Sequence, residues 1–123
     1  MAMVRGVLAA AGAALLMCGL VACGSSPKAT QPSGAGLVVN ITIAKGQVTP
    51  SNATLHATVS EPITLRVNSD AVDELHVHSV PDHKFQVAAA ANQTFQFSVD
   101  VPGNVAVELH HLDRTIATIQ VRP

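Results

Sequence analysis

Residues 69–84 read Ser69-Asp70-Ala71-Val72-Asp73-Glu74-Leu75-His76-Val77-His78-Ser79-Val80-Pro81-Asp82-His83-Lys84, and they hold three of the chain's six histidines. A polar, turn-prone opening (Ser69, Asp70, Asp73) leads into a short alternating run, Leu75 to Val80. The run stops at Pro81, which has no N–H to give to a sheet. In an extended strand successive side chains point to opposite faces, so His76 and His78 share a face and Glu74 joins them. Two imidazoles about 7 Å apart on one rigid face can grip a metal ion once a third donor arrives from elsewhere. No other stretch advertises chemistry as clearly.

The segments around this run have the same short, β-branched texture. Leu37 to Ala44 (LVVNITIA) predicts a strand with Val39, Ile41 and Ile43 on one face, and Lys45-Gly46 turns it. Val48-Thr49-Pro50 is a brief continuation. Further strands are predicted over Ala53–Val59, Ile63–Asn68, Leu75–Val80, a segment around Phe85-Gln86-Val87, Thr94–Val99, Val105–Leu109 and Ile116–Val121. Ala88 to Ala91 has the composition of a helical turn but is too short to stand as a helix. Turn signals every 8–12 residues or so are the pattern of an all-β sandwich, here of seven to eight strands.

Composition narrows the function classes. The net charge is −1 and only 12% of residues are charged, so no electrostatic footprint for nucleic acid is present. With three Phe, no Trp and no Tyr, the chain also lacks aromatic platforms for stacking on bases.

The N-terminus is an address. One cation, Arg5, precedes an uncharged apolar run from Gly6 to Ala22. The run is short for a membrane span and reads as a secretory signal. It ends in Leu20-Val21-Ala22-Cys23, followed by Gly24-Ser25-Ser26, and this resembles the bacterial lipobox. The resemblance implies cleavage before Cys23, a lipid on its thiol, and a place on the outer face of the cell membrane. Cys18 follows Leu15-Leu16-Met17, and Met is too large for the position before the cleaved bond. Residues 1–22 are thus expected to be a lipoprotein signal peptide, 23–36 a lipidated flexible tether rich in Ser, Gly and Pro, and 37–123 the folded domain. Both cysteines and all three methionines lie before residue 24, while all six histidines lie after it. The folded part accordingly has no disulfide and no thiolate.

Several motifs together resemble the cupredoxin-like family. They are the polar loop before the first central histidine, the Phe95-x-Phe97-x-Val99 strand, the run Asp100-Val101-Pro102-Gly103, and the closing Ile116-Ala117-Thr118-Ile119-Gln120-Val121. The segments Ser69-Asp70…Asp73-Glu74…His76-Val77-His78 and Asp100 to Leu109 are similar to small cupredoxin-like domains of bacterial lipoproteins and iron-uptake proteins. The resemblance spans Leu37 to Pro123 and implies a Greek-key β-sandwich. In blue-copper members a mid-chain histidine, corresponding to His76, joins Cys, His and Met from the loop after the Pro-Gly turn. Those three positions fall near Leu109, Leu112 and Thr115, none of which binds copper in that way. A blue-copper centre needs a thiolate, so neither a type 1 nor a binuclear copper centre is expected.

The expected site is mononuclear, with His76 and His78 completed by Glu74, Glu108, His110 or His111, and with copper or another divalent ion as cofactor. Two orientations stay open. If Leu75 and Val77 face the core, the two histidines lie on a half-exposed outer face. If the family geometry holds instead, they point inward and need partners for both ring nitrogens, with Asp70, Asp73 and Glu74 at hand. His56 and His83 read as surface residues, the latter in a loop, and Glu61 and Arg66 as solvated charges. Two functions follow: a lipid-anchored metal-binding module, or a non-metal module that meets a partner in the cell envelope. No nucleophile, triad or phosphate loop points to an enzyme.

Overall fold

The computed structural model describes residues 36–123; the expected signal peptide, most of the expected tether, and Cys23 lie outside the described residues. Nine strands follow one another: β1 (Leu37–Ala44), β2 (Gln47–Thr49), β3 (Ala53–Thr58), β4 (Ile63–Ser69), β5 (Asp73–His78), β6 (His83–Val87), β7 (Gln93–Phe97), β8 (Gly103–Leu109) and β9 (Arg114–Arg122). They form a four-stranded sheet in the order β2-β1-β4-β7 and a five-stranded sheet in the order β3-β9-β8-β5-β6. The β1–β4 and β3–β9 pairs are parallel; the others are antiparallel. After the β5–β6 hairpin the chain crosses to the other sheet as β7 and returns as β8 beside β5, which is a Greek-key path.

Strict alternation builds the core. Leu37, Val39, Ile41 and Ile43 of β1 are buried, as are Ile63, Leu65 and Val67 of β4 on the facing strand of the same sheet. From the other sheet Leu75, Val77, Val105, Val107, Leu109, Ile119 and Val121 meet them. Burying each such aliphatic side chain is worth about 1.5–3 kcal/mol, and no disulfide contributes among the described residues.

The ninth strand is β2, which the sequence marks only as a continuation. Lys45 and Gly46 both have positive φ (54° and 71°), and Ala44 pairs with Gln47 across them. That two-residue turn matches the twist of an antiparallel hairpin, so Gln47–Thr49 folds back on β1 as a strand of its own. At the start of the domain, Gly36 has φ +73°, and a Cβ there would run into the Pro62 carbonyl oxygen. Close approach is needed because Leu37 N–H donates to that same oxygen at 3.0 Å.

Two local expectations are corrected. β5 opens at Asp73 and closes at His78, two residues before the predicted limits at each end. Ala88 to Ala91, too short to stand as a helix, forms none: the Gln93 side chain accepts from Ala88 N–H (2.8 Å) and donates to the carbonyls of Ala88 and Ala90 (2.8 and 2.9 Å). His83 is not in a surface loop. It is the first residue of β6, half-buried, with its ring stacked on Phe85 (centroids 6.1 Å) and tilted against Phe97 (5.3 Å).

Candidate metal centre

Leu75 and Val77 are fully buried, so the alternation of β5 sends Glu74, His76 and His78 to the outer face of the five-stranded sheet. Of the two orientations the sequence leaves open, the outward one is present. On the neighbouring strand, Glu108 is the register partner of His76, and Ala106 that of His78. The β8–β9 register shifts between Val107 and Glu108, a bulge of the kind that re-aims side chains beside a site.

His110 arrives from the turn after β8. Its backbone N–H donates to the Glu74 carbonyl at 2.9 Å, which keeps the turn on the end of β5. Asp73 fixes the rest of that turn. Only 3% exposed, its carboxylate accepts from the N–H groups of His111 (2.9 Å) and Leu112 (3.1 Å), and from Glu74 N–H (2.7 Å). Three backbone donors on one buried carboxylate are the strong, charge-assisted kind of hydrogen bond. Asp73 therefore sets where His110 begins.

The imidazoles of His76, His78 and His110 converge. Each offers one nitrogen, and these lie within 4.8 Å of one another. The centre of a triangle with 4.8 Å sides is 4.8/√3, about 2.8 Å, from its corners. Metal–nitrogen bonds are about 2.0–2.1 Å long, so shifts of under an ångström at each ring bring the three donors to bonding distance. His76 and His78 rings are 3.9 Å apart by centroid, and His76 meets His110 edge-on at 5.0 Å.

Each histidine also has its own carboxylate. His76 Nε2–H donates to Asp82 Oδ1 at 2.7 Å and His78 Nε2–H to Glu108 Oε2 at 2.9 Å, while His110 Nδ1 lies 3.0 Å from Glu74 Oε1 as a close contact. A carboxylate only accepts, so the two hydrogen bonds place a proton on Nε2 of His76 and of His78 and leave Nδ1 of each with its lone pair. His76 Nδ1 and His110 Nε2 then face each other at 3.0 Å. With His76 protonated on Nε2, its Nδ1 accepts from His110 Nε2–H, and a metal ion bound between them would take the place of that proton. Carboxylate–histidine pairs behind a ring of imidazole donors are the supporting shell that metal sites use to fix tautomer and orientation. The hydrogen bond from His76 holds the Asp82 carboxyl below its ordinary value; desolvation opposes it, and the charges of His76, Lys84 and His78 add to it.

The other expected residues fall elsewhere. Glu74 stands behind His110, with its second oxygen accepting from Gln86 Nε2 at 3.0 Å. His111 turns away, its Nδ1 3.4 Å from the Val72 carbonyl. His56 is exposed on β3. Of the three acids at hand as partners for the histidines, only Glu74 takes one. Asp70 accepts from Lys45 N–H at 2.8 Å, and Asp73 serves the turn.

The sequence gives no role to Asp82 and offers Asp73 as a turn former or as a partner for the histidines, not as the acid that holds the turn after β8. Asp73 had a signal: it shares the inward register of Leu75 and Val77, where an acid is out of place. Asp82 had none, since its reach to His76 depends on how the loop after Pro81 folds back.

The donor set fits a borderline divalent ion. Three neutral imidazoles with carboxylates behind them suit Cu(II) or Zn(II), and residues 37–123 contain no cysteine for a thiolate site. No protein-family model matches the chain, and no curated protein matches it by sequence. The solved structures it is similar to include mutant amicyanins. One, in the Cu(I) form, is 14% identical over 69% of this chain and 82% of that one, with TM-score 0.48. A reduced form is 15% identical over 76% and 97% (TM-score 0.48), and an oxidised one 15% over 72% and 83% (TM-score 0.49). The copper of the Cu(I) form is amicyanin's. By the order and path of its own strands, the domain is an all-β Greek-key sandwich of nine strands in two sheets.

Proposed function

We propose that this protein is a metal-binding module on the outer side of the cell membrane, anchored by a lipid on Cys23. It takes one divalent ion, copper before zinc by intrinsic affinity order, through His76, His78 and His110. It works by holding or handing over the metal rather than by blue-copper electron transfer or catalytic turnover. The observation that supports this is the convergence of three ring nitrogens within 4.8 Å, each ring held from behind by a separate carboxylate. Titration of the purified protein with Cu(II) and Zn(II) tests it. One saturable equivalent, lost in the His76→Ala/His78→Ala double variant, is the expected result. Binding that is absent, or unchanged in that variant, overturns it. Anchoring is checked separately: labelled fatty acid attaches to the wild type and not to Cys23→Ser.

A second reading is a non-metal module for an envelope partner on the same fold. It is favoured by the hydrogen bonds His76–Asp82, His78–Glu108 and His76–His110, which engage ring nitrogens without a metal. Recovery of a specific envelope protein by a chain that binds no metal supports it.

A further inference from the structure

We propose that the outer face of the four-stranded sheet binds a carboxylate flanked by amide groups, the chemistry of a peptide's free C-terminus, with the Arg66 guanidinium as its anchor. The site lies on the sheet opposite the histidines and does not depend on the metal-binding reading.

One cation dominates this face. Strands β1, β2, β4 and β7 hold no acidic residue, and Arg66 is their only charged one. It stands in a register row between Asn40 of β1 and Thr94 of β7, and farther along β4 Asn68 meets Asn92. These side chains line a groove of about 320 Å³. The ion pairs among the described residues all join a histidine to a carboxylate, so none engages Arg66. Charges past the strand ends are distant or held elsewhere. Asp70 is about 13 Å along the chain from Arg66 and accepts from Lys45 N–H. Glu61, beyond the other end of β4, accepts from Thr58 N–H, and Asp100 follows the far end of β7. Charges farther apart than the Debye length of about 8–10 Å are largely screened, so Arg66 sets the field in the groove.

The wall of the groove is fixed before any ligand arrives. Ser69 N–H donates to the Ala90 carbonyl at 3.0 Å, and Asn92 N–H to Asn68 Oδ1 at 2.7 Å, which ties the segment before β7 to the end of β4. Gln93 braces the same segment from inside through Ala88 and Ala90. With its oxygen taken by Asn92, Asn68 has its Nδ2–H groups left to donate. Such preorganisation lowers the ordering cost of binding. A planar guanidinium matches a carboxylate with two parallel N–H···O bonds. One positive charge neutralises one carboxylate, whereas a phosphate dianion would keep a surplus charge. Asn40 and Thr94 each offer a donor and an acceptor, and with the Asn68 donor they suit the peptide groups beside that carboxylate.

The test titrates the full chain with acetyl-alanyl-alanine, with the same dipeptide capped as its C-terminal amide, and with inorganic phosphate, each followed by amide-resolved NMR. The expected result is a saturable set of shifts with the free acid, clustered on residues 40, 66–68 and 92–94. Affinity is expected to fall about tenfold or more for the capped peptide, and equally in Arg66→Ala. Arg66→Lys keeps the charge without the fork and should fall between. Urea denaturation of both variants should match the wild type, so that lost binding reports the site and not the fold. No saturable shift in the groove, equal binding of the acid and its amide, or binding unchanged in Arg66→Ala overturns the proposal. Phosphate bound as tightly as the free acid overturns the carboxylate preference. Cu(II) affinity measured on the same Arg66→Ala protein is expected to equal that of the wild type, so a failure here leaves the metal reading standing.

Discussion

On the four-stranded sheet the outward positions of β1 and β4 are Asn40, Thr42, Arg66 and Asn68, with Arg66 paired across to Asn40 and Thr94. On the five-stranded sheet the same alternation in β5 and β8 puts out Glu74, His76, His78 and Glu108. Both faces sit on the same kind of buried aliphatic layer, and both obey a period of two. The first carries two amides, a hydroxyl and one guanidinium, all exposed to water. The second carries donors that lean on one another: three rings, three carboxylates and a backbone turn fixed by Asp73. The sandwich therefore explains where the side chains stand, and the content of one face explains what they do. Removing a core residue and removing a face residue should separate those roles cleanly.

The largest effect is expected from Leu75→Ala. This side chain is fully buried between the sheets, and truncation leaves a cavity costing about 2–5 kcal/mol. Urea denaturation checks it, and metal affinity of the fraction still folded should stay near that of the wild type. His110→Ala inverts the pattern. Its exposed side chain adds little to stability, but Cu(II) and Zn(II) affinity should fall more than about a hundredfold, beyond the 10–100-fold typical of supporting residues. A His110→Ala protein that binds as tightly as the wild type would show that two histidines suffice.

Asp73→Ala lies between the two regions. It strands the N–H groups of His111 and Leu112 and should cost about 1–3 kcal/mol. It should also weaken metal binding, because His110 loses its fixed start. A smaller loss, about tenfold in metal affinity with little change in melting temperature, is expected for Glu74→Gln behind His110. Smallest of all is Arg66→Ala on the opposite sheet, within about 0.5 kcal/mol of wild-type stability and with metal binding unchanged. A metal defect there would mean that the two faces are coupled through the core.

Much of this comparison is legible in the sequence, because it depends on local alternation. The placement of Val39, Ile41 and Ile43 inside, and of His76 and His78 together on one face, follows from period two alone. The approach of His110 to His76 was also within reach, since the Pro102-Gly103 strand had to end beside the histidine strand. What alternation cannot reveal is register and loop path. Which carboxylate serves which ring depends on the pairing of His76 with Glu108 and on the fold-back of Asp82. His83 was misplaced because a polar stretch after a proline reads as a loop, whereas pairing with Val77 draws it into β6 and against Phe97. The separate strand β2 hides behind a turn whose second residue alone, Gly46, announces positive φ.

Two histidines on the outer face of one sheet, His76 and His78, and a third from the turn after β8, His110, make a single metal centre in this reading. X-ray absorption on the copper- or zinc-loaded protein addresses it most directly. The account predicts three imidazole nitrogens about 2.0–2.1 Å from the metal, with any further scatterer oxygen or nitrogen. A sulfur shell, or fewer than three imidazoles around the ion, would contradict it.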